Sequence, residues 1–190
     1  MKKAFVALVG MTLLAGIYSF TPGTGKTAQA PLAVNVAKSR IDWVASKKND
    51  FHTGYFPIKS GEVTVEGGKL TGGKFVIDLA NLKVTDAGGG DGLTGHLKRA
   101  DFFDVEKFAE ATYQITGVSY TGEGTANVTG NLTVKGATVP MPITVNIRNA
   151  DDKGFFAQSF VTIDRTLLGV NYGIGAVSKD VELAIHIFAK

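Results

Sequence analysis

The groups able to do chemistry crowd into one stretch. Asp91 to Asp104 reads DGLTGHLKRADFFD and brings His96, Lys98, Arg99, Asp101 and Asp104 beside Phe102 and Phe103. Histidine with carboxylates suits a metal ion or proton transfer. His52, His96 and His186 are the only histidines, and none has local ligand spacing. A mononuclear site would have to draw His52 or His96 to Asp91 or Asp101 from separate segments. The competing reading is a hydrogen-bonded structural histidine, above all for His186 in mid-strand. Asp101 and Asp104 suit an acid–base pair, but carboxylates around a turn more often cap it and form it. The chain has no G-x-S-x-G elbow, no cysteine and no H-E-x-x-H, so the usual nucleophile and zinc signatures are missing. The expectation is a protein without a catalytic residue, metal or cofactor.

Arg165 follows Ile163-Asp164, and its guanidinium suits a phosphate-like headgroup. An ion pair with Asp164 or Asp101 is the equal alternative. Lys98 and Arg99 read first as a solvated helix end. Pro22-Gly23-Thr24-Gly25-Lys26-Thr27 resembles the tail of a phosphate-binding loop, but Phe20 stands where that loop needs glycine, and no strand precedes it. Asn127-Val128-Thr129 and Asn131-Leu132-Thr133 fit the glycosylation pattern but fall within a predicted strand.

These groups need a scaffold. Residues near 92–100 are predicted as a short helix. Asp91 is placed to cap its first turn, Lys98 and Arg99 suit its C-terminal dipole, and Phe102-Phe103 form an apolar plug. Elsewhere the pattern has period two. Ile41, Trp43 and Ala45 alternate with more polar neighbours, as do Phe75, Ile77 and Leu79, and Ala126 to Val134. Met141 to Ile147, Phe155 to Ile163 and Val181 to Ile187 continue it. Runs of this kind, punctuated by glycine and Asp/Asn clusters, predict an all-β domain. Periodicity leaves sandwich and barrel open. Phe156, Phe160, Ala184 and Phe188 put apolar groups on the second face. That fits either a barrel apolar inside and out or a thick core covered by loops or helices.

The spelling D-x-L-x-x-H-L-K-x-x-D-F-F-D resembles the signature of the YceI-like family of exported bacterial proteins. Gly130-Asn131-Leu132-Thr133-Val134-Lys135-Gly136, Ile163-Asp164-Arg165 and the closing run Asp180–Ala189 extend the likeness over roughly Ser39 to Lys190. The resemblance implies an antiparallel lipocalin-like β-barrel that binds a polyisoprenoid or similar amphiphile. His52 and His96 match positions where that family commonly has histidine. Contacts to such a ligand are expected from His52, His96, Phe102, Phe103, Arg165, Trp43, Phe75 and Ile77. Each buried methylene contributes roughly 0.8 kcal/mol, so a few isoprene units suffice for binding. The alternatives are a metal-assisted hydrolase acting on an amphiphile and a surface interaction module with a filled barrel.

Met1-Lys2-Lys3 followed by the apolar run Ala4–Phe20 reads as a secretory signal peptide. The expected division is residues 1–30 as signal, 31–38 as linker and 39–190 as the lipid-binding domain. Export to the bacterial periplasm or cell surface follows, with membrane association only through an uncleaved leader. The chain carries 20 basic and 17 acidic residues, and Lys2, Lys3 and Lys26 lie in the leader without an acid. The remainder is therefore balanced, which argues against a nucleic-acid partner. Homodimerisation is left open.

Overall fold

Alternating apolar residues bury one face of a strand, and consecutive strands of this kind pair most simply as antiparallel neighbours. The computed structural model describes residues 30–151 and 153–190. The expected signal peptide and the phosphate-loop-like Pro22–Thr27 lie outside the described residues.

In chain order the elements are β1 (Leu32–Ala33), β2 (Arg40–Lys47), β3 (Asp50–Glu66), β4 (Lys69–Asp78), β5 (Lys83–Val84), α1 (Gly90–Lys98), β6 (Glu110–Gly122), β7 (Thr125–Val134), β8 (Ala137–Pro140), β9 (Ile143–Asp151), β10 (Gly154–Asp164) and β11 (Val177–Ala189). A one-turn 3-10 segment, Arg165–Leu168, follows β10. The pairings run β3-β2-β11-β10-β9-β7-β6-β4, and β4 returns to β3. The result is a closed ring of eight antiparallel strands, a lipocalin-like barrel and not a sandwich. Closure removes the free sheet edges.

Register carries the period-two pattern around the ring. Ile41 faces Phe56 and Ile185, and Trp43 faces Gly54 and Leu183. Ile77 faces Ala111, and Ala157 faces Ile187. These inward residues form the core with Val63, Leu70, Val128 and Leu132. The outer face of β10 and β11 stays partly apolar: Phe156 and Phe188 stack at 4.1 Å, and Phe160 is 67% exposed. Among the described residues no helix covers them, so this part of the barrel is apolar on both faces.

Antiparallel succession sends the connections alternately to two ends. One end holds the short turns at Gly67-Gly68 and Gly124, whose positive φ angles suit glycine. Residues 31–38, expected as linker, help to close this end. Leu32 pairs with Val63, the Val34 N–H donates to the Gly61 carbonyl (2.9 Å), and Val34 bridges to Ala189 and is buried. The ordered barrel thus begins before Ser39, because the ends of β3 and β11 offer backbone groups that this segment satisfies.

The opposite end carries the β2–β3 turn, the long β4–β6 connection with α1, and the β10–β11 loop. At this end β5 replaces β4 beside β3, pairing Val84 with Gly54. Asp91 does not cap α1. The N-cap position is Gly89, without a side-chain cap, and Asp91 lies inside the first turn. From there it meets the helix dipole only as a charge.

Candidate functional site

Inside the ring lies a cavity of about 180 Å³. Its wall is almost entirely aliphatic and aromatic, and such cavities exclude water. Trp43, Phe75, Ile77, Phe102, Phe103 and Arg165 are on the wall. His52 and His96 are not among its lining residues.

The lid comes from the stretch with the densest chemistry. Leu93 and Leu97 are four residues apart and so share one face of α1, and Leu97 is buried against the core. The helix stops when Arg99 turns to extended backbone, and the Phe103 and Asp104 N–H groups then donate to the Leu97 and Arg99 carbonyls. This reversal drives Phe102 and Phe103 over the barrel mouth. An aromatic chain continues from them into the cavity: Phe102–Phe103 at 5.2 Å, Phe103–Phe56 at 5.7 Å and Phe56–Trp43 at 6.1 Å. Lys135 Nζ holds the plug by donating to the carbonyls of Ala100 (3.0 Å) and Phe102 (2.7 Å).

The wall's polar groups are mostly engaged by backbone. Tyr113 Oη donates to the Met141 carbonyl (2.9 Å), and burial pushes the phenol up to about 12. Ser159 Oγ donates to the Thr144 carbonyl (2.7 Å). Arg165 is 5% exposed and donates through Nε, Nη1 and Nη2 to the carbonyls of Ser178, Val170 and Val177. The ion pair with Asp164 or Asp101, the alternative to a headgroup contact, does not form. Instead Arg165 lies over the Phe102 ring at 6.0 Å, and Asp164 turns to Thr166 and Lys179. The hydrogen bond from the Thr166 hydroxyl, then that from Lys179, holds the Asp164 carboxyl at about 2. The Trp43 indole N–H is buried and makes no hydrogen bond among the described residues.

His52 and His96 serve the frame around the mouth. His52 has the inward register, opposite Ala45, but its Nδ1 meets Asp86 Oδ2 at 2.9 Å. The Thr53 N–H donates to Asp86 Oδ1 (2.8 Å). The His52 hydrogen bond, followed by that of Thr53, holds the Asp86 carboxyl below its ordinary range. The pair ties the chain entering α1 to β3. His96 packs edge-on against Tyr172 at 4.5 Å, with Nε2 3.7 Å from Asp101 Oδ2. His186 is on the outer face, 3.1 Å from the Gln158 amide. Among the described residues, no three His, Asp or Glu side chains gather around one point suited to a metal ion.

Sequence reasoning missed Asp86, Tyr113 and Tyr172. Tyr113 had a signal, since it is two residues from the inward Ala111 on the same strand. Asp86 and Tyr172 lie in irregular connections, where no periodicity points to them.

The comparisons agree with this architecture. A model of the YceI-like domain matches residues 32–189. A UPF0312 protein of Pseudomonas putida (strain GB-1) is 32% identical, covering 98% of this chain and 96% of the relative. One from Shewanella baltica (strain OS195) is 28% identical over the same shares. The crystal structure of Burkholderia cenocepacia BcnA superposes with a TM-score of 0.71 at 23% identity, covering 83% of this chain and 99% of that one. A polyisoprenoid binding domain from Saccharophagus degradans, implicated in plant cell wall breakdown, gives 0.67 at 18% identity, covering 83% and 97%. The shared signature, the extent of the family match and the common barrel lead to one assignment: this chain belongs to the YceI-like family.

Proposed function

We propose that the protein is an exported carrier or store that holds a polyisoprenoid or similar amphiphilic lipid inside its barrel, without turnover. The observation that carries this reading is the apolar cavity of about 180 Å³, closed at its mouth by Phe102 and Phe103. A chain of isoprene units gains roughly 0.8 kcal/mol per buried methylene there. Wall aromatics select its girth, while the affinity ceiling keeps length discrimination weak. The absence of turnover is supported by the commitment of Tyr113, Ser159 and Arg165 to backbone carbonyls, which leaves none of them free as nucleophile or base. The binding of a polyisoprenoid by the related domain from Saccharophagus degradans supports the choice of cargo, and the basic-then-apolar start of the chain supports export.

The test is purification from the native host without detergent, followed by native and denaturing mass spectrometry in parallel. A mass excess that extracts into organic solvent as a polyprenyl species is expected. A bare protein that also fails to take up added isoprenoid overturns the reading.

A further inference from the structure

The connections at the two ends of the barrel differ in kind. At the end closed by Leu32 and Val34, the turns carry Glu66 and Lys69, Glu123, and Asp151 and Lys153, all exposed. Val36 is the one large exposed apolar residue of that end among the described residues. At the mouth, three connections each present an apolar tip. Phe51 beside the β2–β3 turn, Leu167 on the 3-10 turn and Ile174 in the β10–β11 loop are 57, 65 and 69% exposed. The Ile174 tip is a formed turn: Gly173 and Gly175 flank it at positive φ, and the Ala176 and Val177 N–H groups donate to the Gly173 carbonyl (2.9 and 2.8 Å). Tyr172, also exposed, ties this loop to the plug through His96 and Phe102. Single exposed apolar residues are ordinary, but a set gathered at one end marks an interaction surface.

The charge between these tips has one sign. Lys47, Lys48 and Lys179 line the depression between the β2–β3 turn and Ile174, and no carboxylate lines it. Lys47 and Lys179 also meet Asp50, Asp164 and Asp180 at its edge, and Lys48 forms no ion pair among the described residues. Exposed pairs of that kind are weak, and each ammonium has three donors, so the edge acids leave N–H groups free for phosphate oxygens. Tips on three separate connections, parted by lysines, offer no continuous groove to a folded partner. In a bilayer each tip reaches the acyl boundary by itself while the cations stay at the phosphates.

We propose that the mouth end docks on a phospholipid bilayer, with Phe51, Leu167 and Ile174 entering the acyl boundary and Lys47, Lys48 and Lys179 facing the phosphate layer. The docking stands on this rim and not on the cargo of the cavity. Its consequence is that Phe102 and Phe103 close the barrel on the side that faces the membrane.

The chain contains no cysteine, so one introduced cysteine carries an environment-sensitive dye at a single place. Protein purified from its native host is labelled in the Ile174→Cys variant or, at the opposite end, in the Glu123→Cys variant. Each is mixed with phosphatidylglycerol–phosphatidylcholine vesicles. The dye of Ile174→Cys is expected to brighten, shift to the blue and be quenched by spin-labelled acyl chains, and the dye of Glu123→Cys to do none of these. In vesicle sedimentation Phe51→Ser/Leu167→Ser/Ile174→Ser is expected to weaken binding about a hundredfold. Ile174→Ser, the milder variant should the triple one lose its fold by circular dichroism, weakens it about fivefold, as does Lys48→Ala. Response at both dye positions, or vesicle binding that the folded triple variant retains, means that another segment carries the attachment and overturns the proposal. Unchanged binding in Lys48→Ala overturns the part given to the lysines. Silence at both positions overturns the docking outright, and a dimer in light scattering that the triple variant dissolves would then assign the rim to a second copy. Trp43 is the only tryptophan and lies on the cavity wall, so its fluorescence reports farnesol entry in parallel. Farnesol uptake is expected to be equal in the native protein and the triple variant, because none of the three tips lines the cavity. Farnesol that leaves Trp43 unperturbed removes the cavity reading and leaves the docking intact.

Discussion

The Trp43 indole covers the face of Gly54, its partner across the β2–β3 ladder. A Cβ on Gly54 would meet the Trp43 ring, with Cε2 at 2.6 Å, and the Lys83 carbonyl of β5. Glycine therefore lets one wall aromatic lie flat while β5 approaches from the side. Tyr113 lies over Gly130 in the same way, a known device for covering glycine in a sheet.

Gly54→Ala is expected to cost about 1–3 kcal/mol through overpacking. It must also move the indole, because the Lys83 carbonyl is fixed backbone. Chemical denaturation read by Trp43 emission checks both, and unchanged stability and emission would contradict the packing.

Ala157 faces inward on the cavity wall. Ala157→Phe is expected to fill much of the space, retain or raise the melting temperature, and abolish isoprenoid binding. Calorimetry and a Trp43 titration with farnesol measure the two effects. Retained affinity in a folded variant would place the ligand elsewhere.

The His52–Asp86 pair predicts an acid-labile entrance. The folded carboxyl is held below its ordinary value, so its contribution is complete above about pH 4, the unfolded value. It is lost as pH falls through the depressed folded value. Amide exchange over residues 84–98 is expected to accelerate in that acid window before the barrel strands respond. Asp86→Asn should show fast exchange at neutral pH and lose the acid step; a step that survives in that variant would assign it to another group.

Tyr113 predicts an alkaline limit. Its phenol is raised to about 12, whereas an exposed tyrosine ionises near 10. Above about pH 10 the unfolded chain releases this proton first, so stability falls by roughly 2–3 kcal/mol as pH rises toward 12. Ultraviolet titration should show a late tyrosinate component that Tyr113→Phe removes. If the variant keeps that component, the late group is another tyrosine.

Period two assigned the inward faces of the strands, because a residue's face within a strand depends only on its neighbours one and two positions away. Ile41, Trp43, Phe75, Ile77, Ala126 to Val134 and Phe155 to Ile163 were legible for that reason. The plug at Phe102-Phe103 was legible because a nine-residue helix and the reversal after it are local events. Ring closure was not legible: whether β4 returns to β3 depends on twist and shear accumulated over eight strands. The partners of polar groups were hidden for a related reason. Asp86 reaches His52 across 34 residues, and Arg165 chose the carbonyls of Val170 in the β10–β11 loop and of Val177 and Ser178 at the start of β11 over the Asp164 and Asp101 carboxylates weighed for it. Chain proximity names candidates for such contacts, but burial decides among them, since each buried donor must find an acceptor where the finished barrel provides one. By itself the chain determined which residues face inward; the closed ring decided what they enclose and which charges stand at its mouth.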